Sequence, residues 1–420
     1  MKKKKAPAKD DKTIFVSIAS YRDKELIPTI DNLLKQAKNP KNLTICVCWQ
    51  HDEDEDVSKY QNDSRFLFID VPYKEAKGVC WARNLIQKQY KDQDYILQLD
   101  SHHRFVKGWD TILKQKLELL KSKGVSKPVI STYLPSYDPE NDPKGRVKEN
   151  WRLSFDRFLP EGAIFLRPGF IPKNKKGMER GRFISGHMVF ADGHYYKNVM
   201  YDPNFYFHGE ETSLGVRAFT HGYDIYQLDR QVIWHFYERS GNVRHWDDSS
   251  EWGELNNTSF RRFKALFGVD GTEKQDFGIY GLGQERTLEE FEEFAGINFA
   301  TRSVHKETKN FQPPPVSSND ESDYVSEFKY CIDVHESEIP EKDCDFFAVA
   351  FTNDEGEEMG RWDADEPEVV NLINSASNGD GWIRIWRTIQ VEKIPKSWIV
   401  WPRSKTKGFL NRIEKDLPVS

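Results

Sequence analysis

The chain has 420 residues, 38% of them hydrophobic and 13% aromatic, which is enough to bury a large core in two or three domains. Its 61 basic and 67 acidic residues leave a net charge of -6, which argues against a nucleic-acid partner or a general attraction to anionic membrane. No apolar run reaches the roughly 18 residues of a membrane span, and the basic start MKKKKAPAKDDK lacks the apolar segment of a secretory leader. The 5 cysteines show no zinc-type spacing and fit reduced thiols in a cytoplasmic protein.

Residues 1–12 read as a disordered basic tail. Thr13–Ala19 is a short apolar, β-branched strand that ends in Ser20, Tyr21, Arg22 and Asp23. Leu26, Ile30 and Leu33 recur at helical spacing up to the stop at Asn39-Pro40. Strands follow at Leu43–Trp49 and Phe66–Val71, then a helix from about Gly78 to Tyr90. The stretch YILQLDSHHRF is a buried strand that closes on a carboxylate and two imidazoles. A helix at Trp109–Leu120 and a strand at Pro128–Tyr133 come next. Pro135–Arg182, rich in Pro, Gly, Lys and Arg, reads as long loops, and Phe183–Phe190 as a return to core. Leu288–Phe299 reads as an acidic amphipathic helix that closes the first domain.

Strands alternating with helices predict an α/β fold with a mostly parallel, doubly wound sheet over residues 13–304. Residues 305–323, with Pro313-Pro314-Pro315 and a polar run, read as a linker. Residues 324–420 read as a small β domain, with strands at Tyr324–Val334, Asp345–Phe351, Trp382–Val391 and Trp398–Trp401 and one helix at Glu366–Ile373. Its role has no motif.

Open α/β sheets bind ligands at the carboxyl ends of their strands. Asp100 and His102 alternate there along an extended backbone. A hard carboxylate oxygen and a neutral imidazole suit a divalent ion such as Mn²⁺, although Asp100 capping a loop beside two surface histidines is an equal reading of that triplet. Ser20, Tyr21 and Arg22 stand where a nucleotide would meet the sheet, and Ser101 lies beside the triplet. Gly78, Arg83 and Asn84 open a helix, a position suited to an anion or a ribose. Glu210 and Glu211 follow Gly209 before an amphipathic helix, where they accept hydroxyls or favour the helix dipole. His235 ends an apolar run, as a third ligand or as a core histidine.

Together, IFVSIASYRD, GVCWARN, LDSHHRF, FHGEE and TLEEFEEFAGI resemble the GlcNAc-transferase family that includes the cytoplasmic Skp1-hydroxyproline GlcNAc-transferase of social amoebae. The resemblance covers residues 13 to 300. The polypeptide GalNAc-transferases show a similar plan, with an Asp-x-His turn, a later His and a Gly-Gly-Glu-Asn block. Here His208 replaces the first Gly of that block and Glu211 its Asn. The resemblance implies a GT-A type fold, UDP-GlcNAc as donor, Mn²⁺ or Mg²⁺ on Asp100, His102 and His235, and retention of configuration. The acceptor it implies is a hydroxyl of a protein or glycan. Two alternatives stand beside it. EETSLGVR also resembles the acidic block of inverting polysaccharide transferases, with Glu211 as the base. The tryptophans of the C-terminal region, Trp362, Trp382, Trp386, Trp398 and Trp401, also fit a non-catalytic carbohydrate-binding protein.

Overall fold

The computed structural model describes residues 12–53, 56–172, 175–238, 242–390 and 395–417. The expected basic tail, apart from Lys12, and the expected strand end at Val391 lie outside them. Two compact units divide the chain, and neither is continuous in sequence. The first runs to residue 155 and takes in 166–297 and 307–319. The second gathers 156–165, 298–306 and the chain from 320 onward. Residues 305–323, expected as a linker, are thus shared out: 307–319 belong to the first unit, where Thr308 Oγ1 donates to the Ala295 carbonyl at 2.7 Å.

The strands of the chain up to residue 235 are β1 (Ile14–Tyr21), β2 (Leu43–His51), β3 (Phe66–Pro72), β4 (Tyr95–Asp100), β5 (His103–Phe105) and β6 (Pro128–Ile130). They continue with β7 (Trp151–Phe158), β8 (Ile164–Phe170), β9 (Glu179–Arg180), β10 (Met188–Asp192), β11 (Asp224–Gln227) and β12 (Ile233–His235). The helices are α1 (Leu26–Gln36), α2 (Ser58–Gln61), α3 (Val79–Gln87), α4 (Trp109–Ser122) and α5 (His194–Asn198). After them come α6 (Glu210–Thr220), α7 (His245–Asp248), α8 (Trp252–Phe267) and α9 (Leu288–Ala295).

The 8-stranded sheet has the order β3-β2-β1-β4-β10-β6-β11-β9. Its first four strands are parallel, β10 runs antiparallel between β4 and β6, and β11 is again parallel to β6. This is the α/β architecture expected, with a mixed sheet. In β1, Ile14, Val16 and Ile18 pack with Leu26, Ile30 and Leu33 of α1 and with Leu113, Leu117 and Leu120 of α4 in one buried cluster. Each such side chain contributes about 1.5–3 kcal/mol by leaving water. On the opposite face Phe15 meets Tyr90 and Tyr196 edge-on. With both faces covered, β1 is apolar along nearly its whole length, which is why a continuous apolar run marks it.

Two elements depart from the sequence expectation. The stretch expected as loops contains β7 and β8; in β7 the buried Leu153 and Phe155 share one face, and arginines stand at 152 and 157. The arginines hid the period of two behind a loop-like composition. Of Phe183–Phe190, expected as one core element, only its end belongs to β10, because Gly186 and His187 serve the site described below.

In the second unit, Tyr324–His335 pairs antiparallel with Trp382–Gln390 and with Ser303–His305. Cys344–Thr352 pairs with Ser397–Ser404. The helix Glu366–Ser377 lays Val369, Ile373 and Ala376 onto a core that holds Ile332, Val349, Ile385 and Val400. This is the β-rich region expected, and Trp398 belongs to its core while Trp382, Trp386 and Trp401 are exposed. Among the described residues no helix is long and apolar enough to cross a membrane.

Candidate active site

The site forms where β4 ends, because parallel register brings the exits of β1 and β4 side by side, Ala19 opposite Asp100. The chain then turns into β5, which pairs with β12 so that His235 lies opposite His103. A residue far along the sequence is thereby carried to the strand end. Asp100, His102 and His235 each offer one ligand atom, and these atoms lie within 4.8 Å of one another.

Each of the three is held by a named partner. Asp100 Oδ2 faces His235 Nε2 at 3.3 Å and His102 Nε2 at 3.9 Å, while Oδ1 accepts from Arg83 Nη2 at 2.7 Å. Burial opposes the charge of Asp100, but the His235 hydrogen bond and the Arg83 guanidinium hold its carboxyl well below the usual carboxylate range. Burial pushes the His235 imidazole down to about 3, against the pull of Asp100, so the ring is neutral. His102 Nδ1 meets Asp23 Oδ2 at 2.6 Å, which turns Nε2 toward Asp100. Ser101 Oγ donates to the same Asp23 oxygen at 2.6 Å. Buried His103, also kept neutral by burial, accepts from the Asp100 backbone N–H at 3.2 Å and contacts the Trp234 carbonyl with Nδ1 at 3.0 Å.

Behind the carboxylate lies a buried ionic network. Arg83 of α3 is ion-paired with Glu210 of α6 and donates to Tyr201 Oη at 3.0 Å. Tyr201 Oη donates to Glu210 Oε1 at 2.9 Å, and Cys80 Sγ donates to Glu210 Oε2 at 3.3 Å. A Cβ on Gly186 would lie 2.7 Å from Glu210 Oε1 and 2.8 Å from Arg83 Nη1, so no larger residue fits there. The Gly186 N–H donates to Glu211 Oε1 at 2.7 Å. Glu211 is half-buried, and burial together with the neighbouring Glu210 charge raises its carboxyl to about 7. Of these adjacent carboxylates, Glu210 is ion-paired with a guanidinium and Glu211 is not.

An aromatic wall completes this side. The rings of His187 and Tyr237 stand 4.6 and 4.2 Å from that of His235, and Tyr133 stacks on Tyr237 at 5.1 Å. His187 Nε2 accepts from the Leu134 N–H at 3.2 Å. No period or motif in the sequence marks His187, Tyr133, Tyr201 or Tyr237. Gly186-His187 just before an apolar strand was the one local signal.

Of the remaining expected residues, Ser20, Tyr21 and Arg22 lie at the exit of β1 and Gly78 at the start of α3, whereas Arg83 and Asn84, expected to open that helix, lie in its middle and face the interior. Tyr21 Oη donates to Asp248 Oδ2 at 2.7 Å. Arg22, at φ 44°, bridges Asp52 and Asp248 at 2.9 and 2.8 Å and lies over the Tyr73 ring. Ser20 is fully buried. Gly78 precedes α3 at φ 99°, with Tyr206 where a Cβ would sit. Asn84 is buried and donates to the Tyr201 carbonyl at 2.7 Å and to Tyr280 Oη at 3.2 Å.

GalNAc-T7, crystallised with UDP, GalNAc and Mn²⁺, superposes with a TM-score of 0.45 at 16% identity over 68% of this chain, which spans 54% of the GalNAc-T7 chain. Residues 1–349 of TarS from S. aureus, in complex with UDP-GlcNAc, give a TM-score of 0.38 at 14% identity over 60% of this chain and 66% of that one. No protein of curated function matches the chain in sequence. The family model for glycosyltransferase (GlcNAc) matches residues 13–65 and 55–301, a span that holds β1, the Asp100 turn, Glu210 and His235. The chain belongs to the GlcNAc glycosyltransferase family.

Proposed function

We propose that the first unit transfers GlcNAc from UDP-GlcNAc to a hydroxyl of a protein or glycan, with retention of configuration and with Mn²⁺ or Mg²⁺ on Asp100, His102 and His235. The observation that carries this reading is the convergence of one carboxylate and two imidazoles at a strand end of a glycosyltransferase-family chain. The ionised Asp100 carboxylate and the neutral His235 imidazole are in protonation states that a divalent cation needs from its ligands. A bound cation would supply positive charge to the departing diphosphate.

The chain's own residues have distinct parts in this scheme. Asp23 holds the Nδ1 side of His102 and leaves Nε2 free to bind, the carboxylate–histidine pairing common behind metal ligands. Arg83 keeps Asp100 ionised and fixes one of its oxygens. Glu210 is ion-paired with Arg83 and accepts from Tyr201 Oη, so its part is to position this network. Tyr21, Arg22, Ser20 and Ser101 border the donor in this proposal, with Gly78, Arg83 and Asn84 nearby. The 5 cysteines are all free, which supports a reducing setting.

A second reading, inversion, has one observation in its favour: Glu211, raised to about 7, is tuned like a general base near neutrality. Product stereochemistry separates the two. Proton NMR of the first-formed glycoside is expected to show the α-anomer, with Glu211→Gln keeping measurable turnover. A β-linked product with an inactive Glu211→Gln would establish inversion. A UDP-release screen over several UDP-sugars tests the transferase reading itself. Release is expected to be greatest with UDP-GlcNAc and Mn²⁺ and to vanish with chelator, and no release from any UDP-sugar would reject it.

A further inference from the structure

A cavity in the first unit, lined by β7, β9 and residues 308–314, shares no residue with the Asp100 cluster. It is a small cavity that opens to solvent, and it is lined by Arg152, Arg180 and Arg182. Arg180 closes β9 and Arg182 follows Gly181, and both line the cavity. Between them Gly181 is pressed against Gln227, whose Nε2 lies 2.7 Å from where a Cβ would be.

The charges of this cavity do not balance. Arg152 is paired with Glu179 at 3.2 Å, and Lys175 shares that same carboxylate at 3.0 Å. Arg180 is paired with Asp224 at 2.9 Å, and Arg286 shares that one at 3.0 Å. Arg182 is only 7% exposed, and its hydrogen bonds go to two carbonyls, Ala295 at 2.7 Å and Gln312 at 2.5 Å. Among the described residues no carboxylate makes an ion pair with it. Glu307 attracts it from beyond contact distance, with both carboxylate oxygens engaged by Ser317. Arg182 Nη2 is buried without an acceptor, as are Arg152 Nε, Arg180 Nε and the hydroxyl of Ser154. Water in the cavity would supply acceptors but leave the charge uncompensated, and an uncompensated buried charge is costly. A guanidinium fork matches the oxygens of a carboxylate or phosphate in geometry and charge together.

We propose that this cavity binds an oxyanion head group, phosphate or carboxylate, against Arg152 and Arg182, at a site separate from the Asp100 cluster. Its open mouth suits a head group whose remainder projects outward. Thermal denaturation of the full chain at fixed ionic strength tests this, with inorganic phosphate in one arm, acetate in a second and chloride in a third. One oxyanion is expected to raise Tm saturably above chloride, and which one does so separates the two chemistries. Arg182→Met is expected to raise the half-saturating concentration about tenfold or more, with UDP binding unchanged. No shift by either oxyanion, or equal shifts in wild type and variant, overturns the proposal. Because Arg182 also ties two carbonyls, the variant can fail to fold. Crystals of the wild type soaked with selenate or bromoacetate, matching the anion that shifted Tm, then decide. An anomalous peak within hydrogen-bond reach of Arg182 Nη2 supports the site, and its absence overturns it.

Discussion

At the scale of single residues, the account rests on how neighbours fix charge. Asp23 touches no proposed ligand atom, yet it orients the His102 ring. Asp23→Ala is expected to weaken Mn²⁺ binding about 10- to 100-fold, read by calorimetry, while Asp23→Asn retains more of it. Glu211 has a proton-linked consequence. Its carboxyl is raised to about 7 in the folded chain, so the folded state holds a proton that the unfolded state has lost above about pH 4.5. Stability contributed by this group therefore falls as pH rises from about 4.5 to 7. Glu211→Gln is expected to flatten that decline by on the order of 2 kcal/mol, measured by denaturant unfolding at pH 5 and pH 8. Arg83 and Glu210 form a nearly dry pair, so Arg83→Met alone is expected to cost about 3–5 kcal/mol, and Arg83→Met with Glu210→Met distinctly less than the sum. Additive losses in a double-mutant cycle would contradict a coupled pair.

At the scale of elements, the site depends on how α3 starts. Gly78 precedes it with φ 99°, and a Cβ would meet the Tyr206 ring at 2.7 Å. Gly78→Ala is expected to lower stability by about 1–3 kcal/mol and to reduce Mn²⁺ affinity as well, because α3 carries Arg83 against Asp100. An unchanged melting curve would show that the helix start is not constrained in this way. The sequence made much of this level legible for particular reasons. β1, β2 and β4 are buried on both faces and so read as apolar runs, and Asp100 and His102 follow directly from where β4 stops. His235 was legible as a candidate because β12 is apolar, but its pairing with β5 depends on contacts across more than a hundred residues. The Arg83 to Glu210 pair joins the middle of α3 to the start of α6, a meeting that no local spacing encodes. β7 was hidden because half-buried arginines at 152 and 157 interrupt its apolar pattern, and α8 carries no capping side chain to announce it.

At the scale of the whole molecule, the first unit is completed by a late segment of chain. Arg152 and Arg182 donate to the carbonyls of Phe311 and Gln312, so a chain ending at residue 304 loses both acceptors and the cover they give. Such a chain is expected to melt lower than the full protein and to expose Phe158, which is buried in the second unit. A truncated chain that melts with the full-length protein would show that residues 307–319 contribute little. The central claim is that Asp100, His102 and His235 form one cation site that serves sugar transfer. The most direct test measures Mn²⁺ binding by electron paramagnetic resonance in the presence of UDP, alongside UDP release from UDP-GlcNAc, for the wild type and Asp100→Asn. The account predicts saturable binding by the wild type, and an Asp100→Asn protein that still folds but loses at least about a hundredfold in both Mn²⁺ affinity and turnover. Wild-type Mn²⁺ affinity and turnover in a folded Asp100→Asn protein would contradict it.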